Sequence, residues 1–127
     1  MASESLPPAV AALISRYIRS VEQLEVLLLL HGQPERFWTA DEVYDVIRSS
    51  RSSVMQRLEN FTAEEFLETE PGPPRRFRYA PKAGELRSAV DETATVYQTW
   101  RIRVIEAIFA PADPVQSFAD AFKFRKT

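Results

Sequence analysis

The chain of 127 residues has no cysteine, one histidine and three glycines. Without cysteine there are no disulfides and no thiolate chemistry, and a reducing cytoplasm is the compartment that fits. The three glycines, Gly32, Gly72 and Gly84, are too scattered to form a phosphate-cradling loop. A lone His31 excludes a Cys/His zinc cluster. A Ser-His-Asp site would have to recruit that histidine from a helix end with no motif around it. The carboxylates Asp41, Glu42 and Asp45 read as an acidic helix start, which the helix dipole explains without metal. The expectation is a chain that is not an enzyme and uses no cofactor.

Long apolar runs and a charge excess are lacking too. Ala9 to Ile14 and Val26 to Leu30 are far too short to span a membrane. The start, Met1-Ala2-Ser3-Glu4, is acidic where a signal peptide needs positive charge. The 16 basic and 18 acidic residues leave a formal charge of −2. A strongly basic balance would support nucleic-acid binding directly, so here any such surface must come from local clustering. Between residues 36 and 82 there are eight basic side chains and eight acidic ones, so even the central region is neutral. What the chain does have is apolar mass. Hydrophobic residues make up 45 %, with eight Phe and two Trp, which suits one folded domain over residues 1–127 and argues against disorder.

Residues 37–81 organise the rest. Thr39 can cap a helix by accepting from the N–H of Asp41 or Glu42, and Ala40, Val43, Tyr44 and Ile47 give that helix one apolar face. Arg48-Ser49-Ser50 interrupts it, and Ser49 or Ser50 can cap a second helix over about Arg51 to Phe61. Val54, Leu58 and Phe61 form its buried stripe. The opposite face then carries Ser52, Gln56, Glu59 and Asn60, with Arg51, Ser53 and Arg57 on the flanks. Two candidate strands follow, 66–70 and 75–80, joined by a tip at Pro71-Gly72-Pro73-Pro74. On the return strand Phe77 and Tyr79 share one face, and Arg76 and Arg78 the other. Those arginines suit a wing along a phosphate backbone. They equally suit a solvated hairpin in which they pair with Glu68 and Glu70 across the strands.

Helix, turn, helix, hairpin is the order of a winged helix-turn-helix. In detail, Trp38-Thr39-Ala40-Asp41-Glu42-Val43, then Ser52-Ser53-Val54 and Arg57-Leu58, then Phe66-Leu67 and Phe77-Arg78-Tyr79 resemble the winged helix-turn-helix domains of bacterial transcriptional regulators, MarR-like in the broad sense. The resemblance covers the middle third of the chain. The tip, Gly72-Pro73-Pro74-Arg75-Arg76, lacks the Asp-x-Arg motif usual in MarR wings. The resemblance implies a homodimeric regulator that binds double-stranded DNA. In such a domain the second helix enters the major groove. Arg51, Ser52, Ser53, Gln56 and Asn60 are then the candidates for base contacts, and Ser50, Arg57, Arg75, Arg76 and Arg78 for phosphate contacts. The alternative is a winged-helix module that binds a protein and no DNA, which suits the neutral charge, Glu59 and the acidic run 64–70.

The flanks read as helical extensions, so the fold class is mainly α with a small β-hairpin wing. Residues 1–6 read as frayed. Pro7-Pro8 lead a helix to about Arg19, with an apolar stripe of Val10, Leu13, Ile14, Tyr17 and Ile18. Ser20 and Gln23 form a capping box for a central buried helix ending near Gly32, with His31 as a capping cation. The winged core spans 20–82, flanked by 7–19 and 84–124. A helix from Gly84 reads as unbroken to Ala110, with a heptad-like seam of Leu86, Val90, Thr93, Tyr97, Trp100, Val104 and Ala107. Leu86, Val90, Tyr97, Trp100 and Val104 are the candidate dimerisation residues. The alternatives are packing in cis on the Val10–Ile18 stripe, and a ligand pocket lined by Tyr97 and Trp100. A last helix is expected from Asp113, with Val115, Phe118, Ala119 and Phe122 inward and Lys123, Arg125 and Lys126 at its end.

Overall fold

A computed structural model describes residues 6–110. The expected helix from Asp113 and its basic end lie outside the described residues. The elements run α1 (Pro8–Tyr17), α2 (Val21–His31), β1 (Trp38–Thr39), α3 (Ala40–Ile47), α4 (Arg51–Ala63), β2 (Leu67–Glu70), β3 (Arg76–Tyr79), α5 (Gly84–Thr99) and α6 (Arg101–Phe109). Leu6, expected to fray, instead packs against the core.

Helix α2 is the central post. Leu24, Val26, Leu27 and Leu30 are all fully buried along it. Burying each such side chain is worth about 1.5–3 kcal/mol, and α3, α4, β3 and α5 all pack on this one helix. Its start is held as the sequence suggests, with one displacement. Ser20 Oγ accepts from Gln23 N–H at 3.0 Å, but the Gln23 amide oxygen accepts from Arg19 N–H at 2.7 Å, one residue before the cap. At the other end His31 does not cap carbonyls. Its Nε2 lies 2.8 Å from Asp91 Oδ1 on α5, and its ring packs edge-on to Tyr79.

Helix α3 begins on a reciprocal capping box. Thr39 Oγ1 accepts from Glu42 N–H at 3.1 Å, and the Glu42 carboxylate accepts from Thr39 N–H at 3.0 Å. This is the best-made helix start in the described chain, and Thr39→Ala should lower stability by about 1 kcal/mol. Urea unfolding checks this; a loss below about 0.3 kcal/mol would mean that the box is idle. Arg48 ends α3 in a left-handed conformation, φ 62°. Ser50 then caps α4 by accepting from Ser53 N–H at 3.2 Å. The hairpin is part of a three-stranded antiparallel sheet of order β1-β3-β2. Strand β1 was not apparent in the sequence because it is two residues long, pairing Trp38 with Phe77 and Thr39 with Arg76. Gly72 at the wing tip has φ 142°, a conformation that a side chain would strain.

The C-terminal helix departs from expectation. It is not continuous to Ala110 but breaks at Trp100, with φ −123° and ψ 51°. The sequence before the break explains it. Thr93, Thr95, Val96, Tyr97 and Thr99 are poor helix formers. Thr93, Thr95 and Thr99 also donate their hydroxyls to carbonyls four residues back, which bends a helix. The two segments α5 and α6 both fold back on α1.

Candidate nucleic-acid interface

The second helix of the pair is α4. Val54, Leu58 and Phe61 are buried as expected, which turns Arg51, Ser52, Met55, Gln56 and Glu59 to solvent. Met55 was missed. The helical period places it three residues from Ser52 and four from Glu59, so the spacing contained it, but attention to polar residues passed over it. Asn60 is half-buried at the edge of this face.

Three of the expected DNA-facing groups are engaged elsewhere. Ser50 carries the cap of α4. Ser53 Oγ donates to Glu22 Oε1 at 2.7 Å, and Arg57 Nε donates to the same oxygen at 3.0 Å. Ser49, in the turn before α4, donates to the other oxygen, Oε2. Partial burial would raise the Glu22 carboxyl, but the bonds from Ser49, Ser53 and Arg57 outweigh it and hold the group below the usual carboxylate range. Glu22 therefore stays ionised at neutral pH.

The wing arginines are paired as well. Arg76 Nη2 lies 2.9 Å from Glu70, and Arg78 pairs with Glu68. These are the direct cross-strand partners, since Glu70 faces Arg76 and Glu68 faces Arg78 in the β2–β3 register. Arg75 Nη1 donates to Glu59 of α4 at 3.1 Å, which ties the tip side of the wing to that helix. Arg51 pairs with Asp41 and lies 4.6 Å over the Tyr44 ring. Arg78 lies 4.6 Å over Phe37. The cross-strand pairs that the hairpin allows are both formed. The face therefore gathers arginines and neutralises them in place.

The expected dimer seam is largely used inside the chain. Val90 and Val104 are fully buried in the same core as Val10, Leu13 and Ile14, so they have no surface left to offer a second subunit. Leu86 is half-buried. Tyr97 is buried, and its hydroxyl donates to Glu25 Oε2 at 3.3 Å. Burial raises the Tyr97 hydroxyl first, and the Glu25 charge adds to it. Only Trp100 of the set is exposed. At and beyond the break, apolar surface is exposed at Trp100 (39 % exposed), Ile102 (67 %) and Phe109 (64 %). A cleft of about 500 Å³ opens between α2, the end of α3 and α5, lined by Glu25, His31, Ile47 and Tyr97 among others. Trp100 is not part of its lining.

No helix among the described residues is long and apolar enough to cross a membrane. No protein-family profile matches the chain, and no curated protein matches it by sequence. Solved structures do match. A MarR family transcriptional regulator of Streptomyces coelicolor, Sco5413, superposes with a TM-score of 0.56 at 14 % identity, over 98 % of this chain and 85 % of that one. Staphylococcus aureus MepR F27L, solved bound to an oligodeoxyribonucleotide, gives 0.56 at 11 % identity, over 99 % and 91 %. Bordetella bronchiseptica BpsR, whose DNA binding is regulated by 6-hydroxynicotinic acid, gives 0.51 at 18 % identity, over 92 % and 83 %. The fold of this chain is the winged helix-turn-helix of MarR-family transcriptional regulators.

Proposed function

We propose that the protein is a sequence-specific, double-stranded DNA-binding transcriptional regulator acting as a homodimer in the cytoplasm. The observation that carries the reading is the exposed face of α4, where Ser52, Met55 and Gln56 project together beside an arginine-bearing wing. Gln56 is suited to pair with adenine through two hydrogen bonds, and Met55 to lie on a thymine methyl. Ser52 and Arg51 stand at the N-terminal end of the helix, the part that meets base edges in this class of domain. Arg75, Arg76 and Arg78 supply the phosphate contacts once they exchange their carboxylate partners for the backbone. Asn60, Ser50, Ser53 and Arg57 drop to supporting roles. A likeness in fold to MepR, one form of which is bound to an oligodeoxyribonucleotide, supports the reading.

Two-fold pairing suits such a reader, because two copies address two half-sites about one DNA turn apart. The exposed apolar groups Trp100, Ile102 and Phe109 are the surface we assign to it, in place of the buried seam.

The test is anisotropy of a labelled duplex from the upstream region of its own gene, titrated at two salt concentrations. Saturable binding that weakens steeply with salt and resists random competitor supports the reading. Arg76→Ala with Arg78→Ala should then weaken binding to all duplexes about equally and flatten the log–log salt slope by roughly 1.8, two phosphate contacts at about 0.9 each. Gln56→Ala should instead change preference at one base position, by about 1–3 kcal/mol. Absence of duplex binding at low salt removes the DNA reading. The protein-interaction alternative then leads, since a face whose arginines are neutralised by glutamates also suits a partner protein.

A further inference from the structure

We infer that Glu22 is a positioning residue for the reading helix: its carboxylate fixes the rotation of α4 against α2 and withholds Arg57 from the DNA backbone. The inference rests on the DNA-binding reading above. Three donors from the turn and the first two turns of α4 converge on this one group. Ser49 meets Oε2, while Ser53 and Arg57 meet Oε1 at 2.7 and 3.0 Å. The site is mostly covered, with the Glu22 side chain 17 % exposed and that of Arg57 28 %.

The apolar stripe of α4 does not do this work. Val54, Leu58 and Phe61 hold the helix to the core, but the hydrophobic attraction itself is non-directional, and the polar flank is what names one hydrogen-bonded rotation. Hydrogen bonds are directional and weaken steeply off line. At a side-chain radius of about 5–6 Å, a rotation of roughly 20° moves the Gln56 amide by about 2 Å. That displacement breaks a two-bond match to a base edge. Ser53 and Arg57 lie one turn apart on the flank of the exposed face, so bonding both fixes rotation as well as distance.

The second consequence concerns charge. Arg57 has the reach and position of a phosphate ligand, and the sequence alone assigns it that role. With its Nε on Glu22 it is committed to orientation. The serines add to this, because each hydroxyl given to Glu22 is one not given to DNA. Specificity is gained at the expense of one backbone contact.

The experiment compares the full chain with Glu22→Gln, which keeps size and an acceptor oxygen but removes the charge. Duplexes are those recovered by the parent from a random pool, alongside unselected random duplex, each measured over a salt series. We expect binding to the recovered duplex to weaken about tenfold. Binding to random duplex should strengthen about threefold, and the salt slope should steepen by about 0.9 as Arg57 reaches a phosphate. Adding Arg57→Ala to Glu22→Gln should remove the extra slope. A role confined to folding would scale both affinities by one factor and leave the slope alone, and that result overturns the inference.

Hydrogen exchange on the DNA-free protein decides the same point without a ligand. In Glu22→Gln the amides of Val54 to Arg57 should exchange about tenfold faster, with those of α5 unchanged. Unaltered protection there also overturns the inference. If the parent binds no duplex at any salt, the DNA reading falls, and the exchange result still decides whether Glu22 fixes α4.

Discussion

Replacing Phe66 with alanine should cost about 3–5 kcal/mol of stability, among the largest effects of any single substitution in the described chain. Phe66 is fully buried where three elements meet. Its ring stands edge-on to Tyr17 of α1, with centroids 5.0 Å apart, and edge-on to Phe61 of α4 at 5.4 Å. Its backbone is equally committed. The Phe66 N–H donates to Phe61 O at 2.9 Å, and its carbonyl accepts from Ala80 N–H at 2.9 Å, where the hairpin closes. Truncation to alanine leaves a phenyl-sized hole that α1, α4 and the wing cannot fill together, because each is also tied to α2 or α5. Edge-to-face pairs add about 0.5–1.5 kcal/mol beyond area burial, and both are lost. A small domain is stable by about 5–15 kcal/mol in all, so roughly a fifth or more disappears. Phe66→Leu keeps most of the volume and should cost under about 2 kcal/mol. Urea unfolding followed by circular dichroism measures both. A loss below about 1.5 kcal/mol for Phe66→Ala would mean that the junction collapses onto the cavity and is not a rigid keystone.

That junction was legible in parts. The hydrophobic period gave α1, α2, α3 and α4; the Thr39 cap marked the start of α3, and the start of α4 was narrowed to a cap at Ser49 or Ser50, of which Ser50 is the one used. The tip at Gly72 gave the turn. These are local signals, and the residues that create them lie within four positions of one another. The rest depended on partners far along the chain. Glu22 and Arg57 are 35 residues apart, and nothing in the periodicity of α4 says that a carboxylate from α2 faces its flank. In the DNA-free chain both Ser53 and Arg57 bond that carboxylate. Strand β1 needed β3 to exist at all. The seam through Val90 and Val104 was read correctly as apolar, but periodicity cannot say whether an apolar stripe meets its own chain or a second copy. Here α1 lies against it. The break at Trp100 was visible in the run of threonines, yet the heptad spacing continued across it and masked it. Met55 was lost to a preference for polar readers, although the period alone placed it on the exposed face.

The largest binding effect should come from the acids that pair with the wing arginines, and it should be a gain. Glu59, Glu68 and Glu70 hold Arg75, Arg78 and Arg76, so a phosphate must displace a carboxylate or share the cation with it. These pairs are substantially exposed, and exposed ion pairs are worth only about 0–1 kcal/mol each. Water and salt screen them, so the arginines are held weakly and can exchange. Three such competitors together amount to at most about 3 kcal/mol. Replacing all three by glutamine, Glu59→Gln with Glu68→Gln and Glu70→Gln, removes that competition and three negative charges from the face presented to the duplex. Affinity for random duplex at low salt should rise on the order of 10- to 100-fold. The salt slope should steepen by up to about 2.7, one phosphate for each freed arginine. Discrimination should fall, because a gain in backbone contact favours every sequence alike while α4 reads no more bases than before. Stability should change by less than about 1 kcal/mol, since glutamine keeps the strand pairing and most of the shape. In the protein-interaction reading the same carboxylates are part of the recognised surface, and the triple variant gains no measurable affinity for duplex. Anisotropy on parent and variant in parallel separates these outcomes. A steep salt-dependent gain assigns the neutral face to restraint of a DNA-binding surface, whereas flat titrations for both proteins mean that the wing was shaped for a protein.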